Sequence, residues 1–167
     1  MPTYANDALA TRALATRLTT VFTVTNAANY TGAGHEYGGV DVVLAVDEDT
    51  EEERVGKPYL LIDLQQGMRS AWSAIRAEYR ALTVMVAACA NDSSGAQSGN
   101  TNPITSPELM SRDLIVEIKT NNAAWNALGL EGIEVSADKA VLATAADSPG
   151  TIAIPHRVTF HYEVTGV

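Results

Sequence analysis

The run that reads as a strand at first sight is Arg80 to Ala90, RALTVMVAACA, in which apolar positions dominate at a period of two. Leu82, Val84, Val86, Ala88 and Ala90 fall on one side at a period of two, and Tyr79, Ala81, Thr83, Met85, Ala87 and Cys89 fall on the other. Both sides are largely uncharged, which predicts a central strand covered on both faces. Helices on one side and a further covering, such as another subunit, on the other would satisfy it. A second alternation closes the chain: Val158, Phe160, Tyr162 and Val164 interleave with Arg157, Thr159, His161, Glu163 and Thr165, predicting a half-buried antiparallel strand. After Lys57-Pro58, the run Tyr59, Leu60, Leu61, Ile62 and Leu64 predicts a strand over 58–65, ended by Gln66-Gly67. Ile133 and Val135 begin another, continuing or bending through Lys139 to Thr144, and Ala146 to Gly150 reads as a turn. Residues 68–78 stay ambiguous: Met68, Trp72 and Ile75 fit one helical face, but a lead-in to the central strand would carry the same letters.

Two helices are predicted. The first starts from Asn6 or Asp7 as cap and runs to about Phe22, with Leu9, Leu14, Leu18 and Val21, joined by Ala10, Ala13 and Phe22, along one stripe. The second opens with a capping box of Thr105 and Glu108 and with Pro107 in its first turn. Met110, Leu114, Ile118, Asn121, Trp125 and Leu128 follow at helical spacing before Gly129 stops it. Trp125 reads as a core anchor.

Between these elements lie two polar stretches. From Thr23 the pattern is interrupted by asparagines and glycines, although Val40 to Val46 would suit a short strand, and Asp47 to Glu53 holds six acids in seven residues. The whole of 23–57 reads as a long acidic insertion or arm outside the core. Asn91 to Asn102, NDSSGAQSGNTN, reads as a flexible exposed loop running on to about residue 105. The fold class expected is α+β, an antiparallel sheet of about four strands with two helices packed on one face, plus long loop arms. All 167 residues are expected to form a single domain.

Charge narrows the function classes. Twenty acidic against eleven basic residues give a formal charge of −9, which repels nucleic acid rather than holding it. No apolar run reaches membrane-spanning length and the first residues lack a signal-peptide pattern, so the chain reads as cytosolic. The single cysteine, Cys89, cannot form an internal disulfide and is expected to be buried. Neither His35, His156 nor His161 has a partner at metal spacing, and His161 falls on the polar side of its strand. The stretch Thr31 to Gly39, TGAGHEYGG, meets neither the Walker pattern nor the dinucleotide fingerprint. No catalytic, cofactor-binding or metal residue is assigned.

The order of elements is more telling. A first helix, then Pro58-Tyr59-Leu60-Leu61-Ile62, then the strand Tyr79 to Val86, a helix from Ser106 to about Leu128 and a last strand His156 to Val164 resembles the tail terminator and tail-completion (head–tail joining, neck) proteins of tailed bacteriophages. In that family a first helix leads to a proline-tyrosine-hydrophobic strand, a strand of alternating valines follows, then a long helix, and the last strand starts with a basic residue. The arm at 23–57 and the loop at 91–105 are longer here than that pattern suggests. The resemblance implies a structural virion protein without enzymatic activity or cofactor. It would form a homo-oligomeric ring, typically hexameric, that caps the tail tube and joins it to the head-side connector or stopper protein. Such a ring, assembled in the host cytoplasm, would let DNA pass an acidic channel without specific binding. The two arms are then expected to contact a neighbouring subunit, tail tube protein or connector, with Tyr30, His35, Tyr37, Asp47, Glu48, Asp49, Glu51, Glu52 and Glu53 as contact candidates. Alternatives are a tail tube or connector-completion protein and, from another class, a small α+β enzyme or ligand-binding domain.

Overall fold

A computed structural model describes residues 2–23, 26, 30, 40–45, 58–64, 69–74, 77–91, 106–138, 141–143 and 151–165. In chain order its elements are α1 (Asp7–Val21), β1 (Asp41–Leu44), β2 (Tyr59–Asp63), β3 (Arg69–Ala74), β4 (Ala77–Asn91), α2 (Ser106–Thr120), α3 (Asn122–Ala127), β5 (Glu131–Ala137), β6 (Val141–Ala143) and β7 (Thr151–Val164). The fold is α+β, as the alternation and helical stripes imply.

The central pair is β4 and β7, antiparallel from Glu78 opposite Val164 to Asn91 opposite Thr151. Two short strands share the other edge of β4: β3 pairs with its first half as a hairpin, and β2 with Met85 to Cys89. Likewise β5 and β6 share the outer edge of β7. The ambiguous residues 69–74 are thus strand, because they fold straight back on the strand they precede.

Three expectations need correction. The sheet is mixed rather than antiparallel, because β1 runs parallel to β2, with Asp41 beside Tyr59 and Leu44 beside Ile62. Parallel neighbours need a long connection, and the chain between Leu44 and Tyr59 is long enough to provide it. Residues 40–45 therefore belong to the core sheet and not to an arm, with Val40 only 5% exposed. The sheet is also larger than about four strands, with seven among the described residues. Finally, the single stripe through 106–128 is two helices. At Asn121 the backbone leaves helical geometry (φ −110°, ψ 39°). Asparagine competes with the helix through its own side chain, and here that side chain is turned towards Glu117.

All three helices cover one face of the sheet. Leu82, Val84, Val86, Ala88 and Ala90 of β4 and Val158, Phe160 and Tyr162 of β7 meet Leu14, Leu18 and Phe22 from the α1 end and Met110, Leu114, Ile118 and Trp125 from α2 and α3. Asn6, not Asp7, caps α1: its Oδ1 accepts from the Leu9 amide at 2.9 Å. Leu9 itself is 46% exposed, since the buried row runs through Ala10, Leu14, Leu18 and Val21 and Leu9 sits a position off it. Trp125 is fully buried, as expected of an anchor. α3 ends in a Schellman motif, the Leu130 amide donating to the Trp125 carbonyl at 3.1 Å and the Gly129 amide to that of Asn126 at 2.9 Å. The turn needs Gly129 in the left-handed region (φ 71°), and it seats the N-terminus: a Cβ there would collide with the Pro2 carbonyl oxygen. From that seat Tyr4 forms a parallel bridge to Val164, donates its amide to Glu163 at 3.0 Å and its hydroxyl to the Leu128 carbonyl.

Candidate functional site

Three polar arrangements stand out in the interior, which also buries Asp113 and Thr11. The first is Ser111 on α2 with His156 on β7. His156 Nδ1 lies 3.0 Å from the Val86 carbonyl, which can only accept, so the proton sits on Nδ1. The neutral ring then accepts at Nε2 from the Ser111 hydroxyl, 2.7 Å away. Burial pushes the His156 pKa below the usual histidine value. A serine donating to an oriented imidazole is also the arrangement of an activated nucleophile. Here, however, the imidazole is 0% exposed and the serine 8%, so the pair is enclosed at the helix–sheet seam and ties α2 to β4 and β7. Sequence spacing gives no hint of it, because residues 111 and 156 meet only through the fold.

The second centres on Glu117, fully buried on α2. Its Oε1 takes Arg17 Nε at 2.8 Å and a terminal guanidinium nitrogen at 2.6 Å. Its Oε2 takes the Tyr30 hydroxyl at 3.1 Å and Asn121 Nδ2 at 2.6 Å. The same guanidinium lies 6.0 Å from the Trp125 ring centroid, within cation–π range. Tyr30, a contact candidate from the sequence, is therefore pinned by its hydroxyl to the seam of α1 and α2 while its side chain stays exposed, 42% by residue. A third cluster joins Asp7 at the start of α1 to the Tyr162 hydroxyl, with Arg80 Nη1 3.5 Å from the same carboxylate oxygen. Burial and the Asp7 carboxylate drive the Tyr162 pKa well above its ordinary value.

None of the described helices packs on the second face of the sheet. By register it carries Tyr79, Ala81, Thr83 and Met85 of β4, Tyr59 and Leu61 of β2, and Thr159 and His161 of β7, all half-buried. Thr83 and Thr159 share a hydrogen bond of 2.8 Å across the central pair. Ala87 and Cys89 lie on this side too, 5% and 3% exposed, so Cys89 is buried as expected. Around this apolar middle stand Asp41, Asp63, Glu131, Glu134 and Glu163. His156 and His161 project to opposite sides of the sheet and do not converge.

Of the nine contact candidates, only Tyr30 is among the described residues. His35, Tyr37, Asp47, Glu48, Asp49, Glu51, Glu52 and Glu53 lie outside them, as do residues 92–105 and the turn at 146–150. Among the described residues no helix is long and apolar enough to cross a membrane. No protein-family model matches the chain, and no curated protein matches it.

Proposed function

We propose that the protein is a structural component of a tailed-phage virion, a tail terminator that forms a ring, typically of six copies, on the end of the tail tube and meets the head-side connector or stopper protein. The observation that carries this reading is the order of elements about the central pair: α1, a proline-tyrosine-hydrophobic β2 beside the valine-alternating β4, then α2, then a β7 whose latter part, from His156-Arg157, lies along β4. The second sheet face supports it, since half-buried apolar side chains ringed by carboxylates suit a subunit contact better than open solvent. The charge of −9 per chain is in keeping with a channel past which DNA slides, because an acidic wall offers no counterion release. The reading is non-enzymatic: the arrangement closest to a catalytic pair, Ser111 and His156, is enclosed and occupied in joining elements. On this reading residues 31–39, 46–57 and 92–105 contact the neighbouring subunit, tube or connector.

Negative-stain electron microscopy of the purified protein, with its mass in solution and its binding to purified tail tubes, tests the reading. Closed rings of uniform size, or capture on tube ends, are expected. Long tubes would reassign the protein as a tube component. A monomer that ignores tail tubes would overturn the virion reading.

A further inference from the structure

Among the described residues, the exposed charges of the two layers of the fold are mostly opposite in sign. On the helix layer, Arg12 of α1 and Arg112 and Lys119 of α2 are exposed, with Glu108 the exposed acid beside them among the described residues. On the second sheet face Asp41, Asp63, Glu131, Glu134 and Glu163 stand against Arg157. A basic layer in a chain of charge −9 is not what an even spread of charge would give. Thr16, Thr19 and Thr20 are exposed on α1, each donating its hydroxyl to a carbonyl of its own helix at 2.9, 2.9 and 3.1 Å, and the 46% exposed Leu9 adds an apolar side chain to this layer.

From this complementarity we infer that the helix layer of one copy docks on the second sheet face of the next, head to tail, with Arg112 and Lys119 set against Glu134 and Glu163. The inference rests on the ring reading above and names the contact that builds the ring. The exposed charges of the helix layer are mostly basic and those of the second sheet face mostly acidic, which favours this pairing and disfavours helix on helix or sheet on sheet. A contact between two different patches of one chain is heterologous, and its repetition closes into a ring when the rotation allows.

The test is a charge exchange read by mass in solution over a range of concentration and salt. R112E/K119E reverses the helix layer and E134K/E163K the sheet face; Arg112, Lys119 and Glu134 are exposed, and Glu163 is half-buried on the second sheet face. Each double variant alone is expected to associate roughly tenfold more weakly than wild type, or worse. Mixed in equal amounts, the two are expected to regain assembly, because every junction then joins opposite charges. The chain with all four reversals should regain it alone, and added salt should weaken the wild-type contact. Circular dichroism of each variant confirms that it is folded. Wild-type rings that both double variants form equally well would overturn this contact and leave the ring reading standing. Loss of assembly without rescue by mixing or by the fourfold variant would overturn the charge pairing. A wild type that stays monomeric would also overturn the contact, and binding to tail tubes would then decide the ring reading separately.

Discussion

Arg17 and Glu117 are an ion pair whose two ends sit in different solvent, which makes the cost of removing either one a test of the Glu117 cluster. The glutamate side chain is 0% exposed and the arginine 24%. R17M keeps most of the arginine stem and leaves a fully buried carboxylate with Tyr30 and Asn121 as its side-chain donors among the described residues. An uncompensated buried charge costs about 3–5 kcal/mol, and the lost contact with Trp125 adds about 0.5–1 kcal/mol. E117Q keeps the volume and leaves the cation, which can reach water. Its amide then needs Asn121 to turn over so that an oxygen replaces the donor now facing it, for a cost of about 1–2 kcal/mol. Removing the arginine should thus hurt more than neutralising the glutamate. For a chain of this length, 3–5 kcal/mol lowers Tm by roughly 6–20 °C. Urea unfolding followed by circular dichroism at neutral pH measures both variants and R17M/E117Q, with the slope in urea checked for constancy. The double variant should be more stable than R17M alone, since the buried charge is gone. If R17M stays within about 1 kcal/mol of wild type, or E117Q proves the more costly, then the cluster does not behave as a buried ion pair.

The remaining expectations concern the other buried groups. G129A should cost about 1–2 kcal/mol from the left-handed backbone alone, and since its Cβ displaces Pro2 it should also raise hydrogen exchange at Tyr4. His156 is held neutral by burial, so the folded state binds fewer protons than the unfolded one. Stability should therefore fall as pH drops below the unfolded value of about 6.5, and H156Q should flatten that slope in denaturation curves taken across the range. At the alkaline end Tyr162 and Tyr4 keep their protons in the folded state. Stability should be full below the unfolded tyrosine value of about 10 and fall above it, with Y162F less sensitive in the same assay.

What the sequence made legible follows from how local each signal is. The period of two in Leu82 to Ala90 and in Val158 to Val164 needs no partner to be read, and both became the central pair, longer than the alternation because their flanks pair as well. Trp125, Cys89 and His161 went where stripe and parity put them. The Asn121 break was hidden because the apolar spacing runs through it, while the cause, an amide drawn to Glu117 and Tyr30, depends on residues far along the chain. β1 was half legible: Val40 to Val46 suits a short strand, but four residues after a glycine-rich stretch do not show that they join the core sheet, and only the parallel register with β2 does. The candidate surface was half legible. An uncharged second side on Thr83, Met85 and Ala87 already called for a cover, but the carboxylates that ring it come from β1, β2, β5 and β7 and meet only in the sheet. A surface made of such long-range neighbours is where sequence reading has least purchase, and it is also where a protein without a distinct catalytic signature would keep its function, because contact between subunits needs area and charge rather than any single side chain.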